Sequence, residues 1–157
     1  MDHSRFNRFV NQSLREFPLT PPLFVETTAP VADAVEAMRA ASTSCVLLGD
    51  GHAIEGIFTE RDVLTKCMKD GFDWQQPVGE AVATRNPRLI PAERTLAEAL
   101  AAFQQHGHRT LPVVDGEVVL GLLRLGDVFT HLAEAFPEEL LNLPPRPHQV
   151  MEKPEGG

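Results

Sequence analysis

The sequence is poor in cysteine and in positive charge, and both shortages restrict its function. Its two cysteines, Cys45 and Cys67, form no CxxC arrangement, and each lies in an apolar run. Buried free thiols in a reducing compartment are therefore expected, rather than a disulfide. Fourteen Lys and Arg stand against 22 Asp and Glu, a net charge of -8. That balance argues against a nucleic-acid or anionic-membrane surface, which needs clustered cations to release counterions. It leaves room for a small anion, which feels a few nearby side chains and helix N-termini more than the whole surface. No apolar run approaches the roughly 20 residues of a membrane span. The N-terminus also lacks the charged-then-apolar pattern of a secretory signal, so a cytoplasmic protein is expected.

Catalytic signatures are missing too. The chain has no nucleophile with an evident base, no phosphate loop and no pair of carboxylates set by a motif for acid-base work. His106 and His108 alternate as ligands on a strand would, but no Cys, Asp or Glu at suitable spacing completes a set, and two histidines do not make a structural zinc site. Neither a metal nor an enzyme is expected.

What the chain does contain is a repeat. Adding 65 carries Gly56 to Gly121, Asp62 to Asp127, Val63 to Val128 and Thr65 to Thr130. The same shift carries Asp50-Gly51 to Asp115-Gly116, Ala32, Ala34 and Ala37 to Ala97, Ala99 and Ala102, and Pro22 to Pro87. Each copy, about 45 residues, is near the size at which an isolated core becomes inadequate, so the two copies should pack into one body.

Within each copy the pattern is β-α-β-β-α. In the first, Leu23 to Val25 reads as a short strand, a helix begins near Pro30, Cys45 to Leu48 is a buried strand, and Asp50-Gly51 turns into a strand over Ile54 to Phe58. A helix then follows, with Val63, Leu64, Cys67 and Met68 on one face. The second copy repeats this with Arg88 to Ile90, Leu96 to Gln105, Leu111 to Val114, Val118 to Leu123 and a helix from about Gly126 to Phe136. Ahead of them, Phe6, Phe9, Val10, Leu14 and Phe17 predict an amphipathic helix that ends before Pro18 and lies on its own domain. Between the copies come a packing anchor, Trp74, and a short helix over Val78 to Ala83. The boundaries that follow are 1–20 for the N-terminal helix and connector, 21–70 and 87–136 for the repeats, 71–86 for the linker, and 137–157 for a proline-rich tail. Residues 144–157 of that tail are expected to be mobile, with Leu140, Leu141 and Leu143 docking back.

The stretch Gly56-Ile57-Phe58-Thr59-Glu60-Arg61-Asp62 is where strand becomes helix. Thr59 stands at the helix N-terminus and Asp62 in the first turn, where a hydroxyl can cap an amide and the dipole favours a carboxylate. Spacing alone leaves two readings open, a capping pair or a ligand site.

Together with the segment His108 to Glu117, the ungapped repeat and this stretch resemble a tandem pair of cystathionine-β-synthase (CBS) domains, over roughly residues 10 to 136. The resemblance implies an α/β (α+β) fold in which two β-α-β-β-α repeats pack about a pseudo-twofold axis and leave clefts for adenosine derivatives. AMP, ADP, ATP and S-adenosylmethionine are the ligands it suggests, and a homodimer the assembly. It places ribose recognition on Asp62, with Thr59 on ribose or phosphate, and an adenine pocket on Val25, Thr27, Val46 and Ile57. Arg61, His108 and Arg109 are the phosphate candidates for the same cleft, Arg109 foremost. An ionised carboxylate suits the ribose part because it accepts only and can take both hydroxyls of a cis-diol. The second copy departs from the motif. Arg124 replaces the hydroxyl residue, so that helix loses its side-chain cap, and two outcomes are open: Arg124 reaches a phosphate, or it fills the cleft and pairs with Asp127. The function implied is a regulatory module that signals nucleotide occupancy to a partner protein. The alternative is a structural dimerisation or interaction module with no small-molecule ligand.

Overall fold

The computed structural model describes residues 3–141, so Leu143 and the mobility expected of residues 144–157 lie outside the described residues. Helix α1 (His3–Val10) leads to β1 (Phe24–Val25), α2 (Val31–Ala40), β2 (Cys45–Leu48) and β3 (Gly56–Thr59). The short α3 (Glu60–Asp62) continues into a wide π-helical turn, Val63–Cys67. The link comprises α4 (Val78–Ala81) and β4 (Thr84–Arg85). The second repeat has β5 (Ile90–Pro91), α5 (Leu96–His106), β6 (Thr110–Asp115), β7 (Val118–Arg124) and α6 (Leu125–Ala135), and α7 (Pro137–Leu141) follows.

Two sheets result, ordered β1-β2-β3-β4 and β5-β6-β7. In each, a parallel pair is followed by an antiparallel one, because a helix connects the first two strands and a short connection the next two, residues 49–55 in the first repeat and a tight turn at Gly116-Glu117 in the second. All of β2 is buried since both its faces are covered. Val46 and Leu48 share a core with Val31, Ala34 and Met38 of α2, whereas Cys45 and Leu47 meet Leu122 of the other sheet. The inter-sheet cluster also takes in Phe24, Ile54, Ile57 and Val119, which joins the repeats into one body.

The segment ahead of each repeat pairs with the sheet of the other. The link strand β4, which precedes repeat two, pairs with β3 of repeat one. Reciprocally, Thr20, which precedes repeat one, pairs with Leu122 of β7 through two backbone hydrogen bonds of 2.9 and 2.8 Å. This crossing explains the paired glycines. A Cβ on Gly56 would lie 3.0 Å from the Thr84 carbonyl oxygen, and one on Gly121 would lie 2.7 Å from Leu19 Cβ and 2.8 Å from the Thr20 carbonyl oxygen. Gly121→Ala must push backbone apart, and is expected to cost about 1–3 kcal/mol, read as a lowered urea midpoint.

The N-terminal segment differs from the sequence expectation. The helix stops at Val10, and Leu14 and Phe17 enter the core of repeat two from irregular chain. Residues 13–15 spend their hydrogen-bonding groups on repeat two: Leu14 N–H donates to the Arg94 carbonyl, Arg15 N–H to that of Ala92, and Ser13 Oγ also to Ala92. The apolar spacing was thus real, but distant pairing replaces the last helical turns. Phe6 and Phe9 pack on Phe136 beyond α6, with the Arg5 guanidinium 5.3 Å from the centre of that ring. The face assigned to the motif helix is corrected as well. Cys67 is buried, but Leu64 and Met68 are 70% and 66% exposed. Trp74 sits half-buried against Phe72 on the first core.

Candidate functional site

At the end of β3, Thr59 and Asp62 form a reciprocal capping box. The Asp62 N–H donates to Thr59 Oγ1 at 3.3 Å, while Thr59 N–H and Oγ1 both donate to Asp62 Oδ2, at 2.9 and 3.0 Å. Asp62 is the buried charged residue of the described chain, at 7% exposure. Its other oxygen, Oδ1, lies 2.6 Å from Lys66 Nζ, which also donates to the Val82 carbonyl at 2.7 Å. A carboxylate leaving water needs such partners. Sequence reasoning missed Lys66, although an Asp followed by Lys four residues on is the spacing of neighbours on one helix face.

The second copy uses its carboxylate differently. Arg124 Nε donates to Asp127 Oδ2 at 2.8 Å and Nη2 to Oδ1 at 2.9 Å, a two-pronged pairing to which Thr20 Oγ1 adds a third donor at 2.9 Å. Helix α6 accordingly has no side-chain cap. Of the two outcomes open for Arg124, the structure contains the pair with Asp127. The Arg124 bonds hold the Asp127 carboxyl below the ordinary carboxylate range, with Thr20 assisting and burial opposing. A group depressed in this way stabilises the fold above its ordinary value of 3.8, and that contribution is lost as pH falls through the lower, folded value. Wild type should therefore lose stability below about pH 4 more steeply than Arg124→Ala, as denaturant titrations across that range would show. Nearby, burial pushes the Cys45 thiol up to about 11 against the opposing field of Arg124, and it raises Cys67 as well. Both cysteines are free, buried and held as thiols.

The remaining candidate residues scatter. Val46 has no exposed surface and faces α2, which leaves a ligand nothing to touch in this conformation. Ile57 is half-buried between the sheets. Val25 pairs with Leu48, which pairs with Gly56, so Val25 and Thr27 stand at the opposite end of β3 from Thr59, roughly 10 Å away at strand rise. There Thr27 lines a cavity of about 120 Å³ with Gly79, Pro77 and Arg85, smaller than the roughly 300 Å³ at which ligand pockets begin. Of the residues expected to form the adenine pocket, Val25 and Thr27 are thus set along the sheet from Thr59, and Val46 is closed off by packing against α2.

His108 and Arg109 are exposed in the turn into β6. The Leu125 N–H donates to the Arg109 carbonyl, and Thr110 pairs with Arg124, so the backbone sets Arg109 beside the second motif. Among the described residues, no hydrogen bond or ion pair joins His108, Arg109 or Arg61 to Thr59 or Asp62. Also among them, no group of three His, Cys, Asp or Glu is placed to hold a metal ion, and no helix is long and apolar enough to cross a membrane.

A family model described as the CBS domain matches residues 14–69 and again 78–134, most of the chain. The chain belongs to the CBS-domain family. The relatives of this CBS pair include the meiotically up-regulated gene 70 protein of Schizosaccharomyces pombe, 33% identical over 119 residues that make up 75% of this chain and 16% of that protein. The chain thus spans only a small part of that relative's length. The CBS domain-containing protein YhcV of Bacillus subtilis is 26% identical over 74% of this chain and 82% of that protein. Among solved structures, a putative signal-transduction protein with CBS domains from Burkholderia ambifaria is 27% identical, with a TM-score of 0.68 over 77% of this chain and 90% of that one. The CBS domain protein PAE2072 of Pyrobaculum aerophilum, solved in complex with AMP, has a TM-score of 0.68 at 18% identity over 78% of this chain and 99% of that one. The common architecture is the mixed α/β pair of sheets and helices described above.

Proposed function

We propose that this CBS pair is a regulatory module that binds an adenosine-containing nucleotide at Thr59 and Asp62 and passes its occupancy to a partner protein. The observation that carries the reading is the contrast between the two motif carboxylates. Asp127 is clamped by a two-pronged arginine and by Thr20, whereas Asp62, the more buried of the two, is aimed by its own capping box and has its Oδ1 paired with a lysine whose side chain is 42% exposed. A buried, oriented carboxylate suits a ribose diol once that lysine gives up Oδ1. The AMP complex of a protein with the same fold supports adenine nucleotides as the class, so AMP, ADP, ATP and S-adenosylmethionine are the candidates. Ligand would act by favouring one arrangement of the repeats, or of a homodimer, over another. The buried thiols suit a cytoplasmic location.

The interaction-module reading draws on one specific observation: both oxygens of Asp62 already have partners. Thermal unfolding with millimolar AMP, ADP, ATP or S-adenosylmethionine separates the two. A ligand at about 100 times its dissociation constant adds about 2.7 kcal/mol, a rise of several degrees at this chain length. A midpoint unmoved by all four would leave the interaction module as the better reading.

A further inference from the structure

We infer that Lys66 is the specificity residue of the Asp62 site, and that by competing for the ribose-binding oxygen it selects nucleotides bearing a phosphate over the neutral nucleoside. The inference rests on the proposed site at Asp62 and adds to it a residue outside the family motif. Two bonds from Thr59 already fill Asp62 Oδ2, so Oδ1 is the oxygen left for a diol. Lys66 Nζ sits on that oxygen at 2.6 Å. Nζ takes one of the two acceptor positions of Oδ1, so both hydroxyls of a cis-diol can reach that oxygen only if the ammonium moves. Displacing it from a buried carboxylate is costly unless the ligand returns an anionic partner, and a neutral nucleoside brings none.

The lysine is built to move. Its side chain is 42% exposed, four carbons long, and carried on the wide π-helical turn that follows Asp62. Such widened turns recur at functional sites. Its second acceptor, the Val82 carbonyl at 2.7 Å, holds the ammonium near the mouth of the site after Asp62 is released. A third N–H remains for a phosphate oxygen. Binding of AMP then exchanges one charge-assisted contact for another, while adenosine loses one without replacement.

The test is calorimetric titration of the full chain and of Lys66→Met and Lys66→Arg with AMP and with adenosine. Wild type should bind AMP at least about tenfold more tightly than adenosine. In Lys66→Met that ratio should fall toward one with adenosine bound no more weakly than before, and in Lys66→Arg it should persist. Should Lys66→Met not fold, Lys66→Gln, which keeps a donor for Val82, carries the same expectation. Equal affinities in wild type, or an undiminished ratio in the folded neutral variant, would overturn the role of Lys66. Failure of both ligands to bind wild type would instead overturn the Asp62 site, and the inference with it.

Discussion

Phe58→Ala is expected to lower the free energy of unfolding by about 3–5 kcal/mol. Phe58 has no exposed surface and shares the first core with Val31, Met38, Val46, Cys67 and Val78. Its strand is held on one side by β2 and on the other by the exchanged β4, so the surroundings cannot close over a missing ring without opening a ladder. A domain of this kind is stable by only about 5–15 kcal/mol, so a large share of its stability would go. The readout is a lowered urea midpoint at unchanged slope. Because the segment ahead of each repeat pairs with the sheet of the other, the variant should still unfold in one transition. A biphasic curve would mean that the repeats unfold separately.

Asp62→Ala is expected to weaken nucleotide binding by more than about 100-fold, since two hydrogen bonds to a charged group are worth about 1.5–3 kcal/mol each. It also removes the carboxylate half of the capping box and leaves Lys66 without its counter-ion, so a stability loss of about 1–2 kcal/mol accompanies it. The two effects separate in titration of the folded variant. An affinity equal to wild type alongside the stability loss would identify Asp62 as a cap alone.

Much of this fold was legible because it is written twice. The 65-residue shift aligned both β-α-β-β-α units, and the turn at Asp115-Gly116 came with them, whereas Asp50-Gly51 lies in a longer connection between Leu48 and Gly56. The capping geometry of Thr59 and Asp62 was legible as well, because it lies within four residues and depends on local spacing. What stayed hidden depends on chain brought from far away. Leu14 and Phe17 have helical spacing, yet their segment is pinned to Ala92 and Arg94, a contact that periodicity does not register. Thr20 lies 107 residues from Asp127 but donates to its carboxylate. The resemblance put Val25 and Thr27 in an adenine pocket, but only the strand pairing shows that they stand at the far end of β3 from Thr59. The outward turn of Leu64 and Met68 follows from the π-helical widening after Asp62, which departs from the 3.6-residue period used to place them.

The two motif carboxylates are assigned different roles, Asp62 receiving a nucleotide while its counterpart Asp127 is used internally. Calorimetric titration of AMP into wild type, Asp62→Ala and Asp127→Ala tests this division of roles most directly. One nucleotide per chain is expected in wild type, retained in Asp127→Ala and lost in Asp62→Ala. Binding that survives Asp62→Ala but disappears in Asp127→Ala would contradict it.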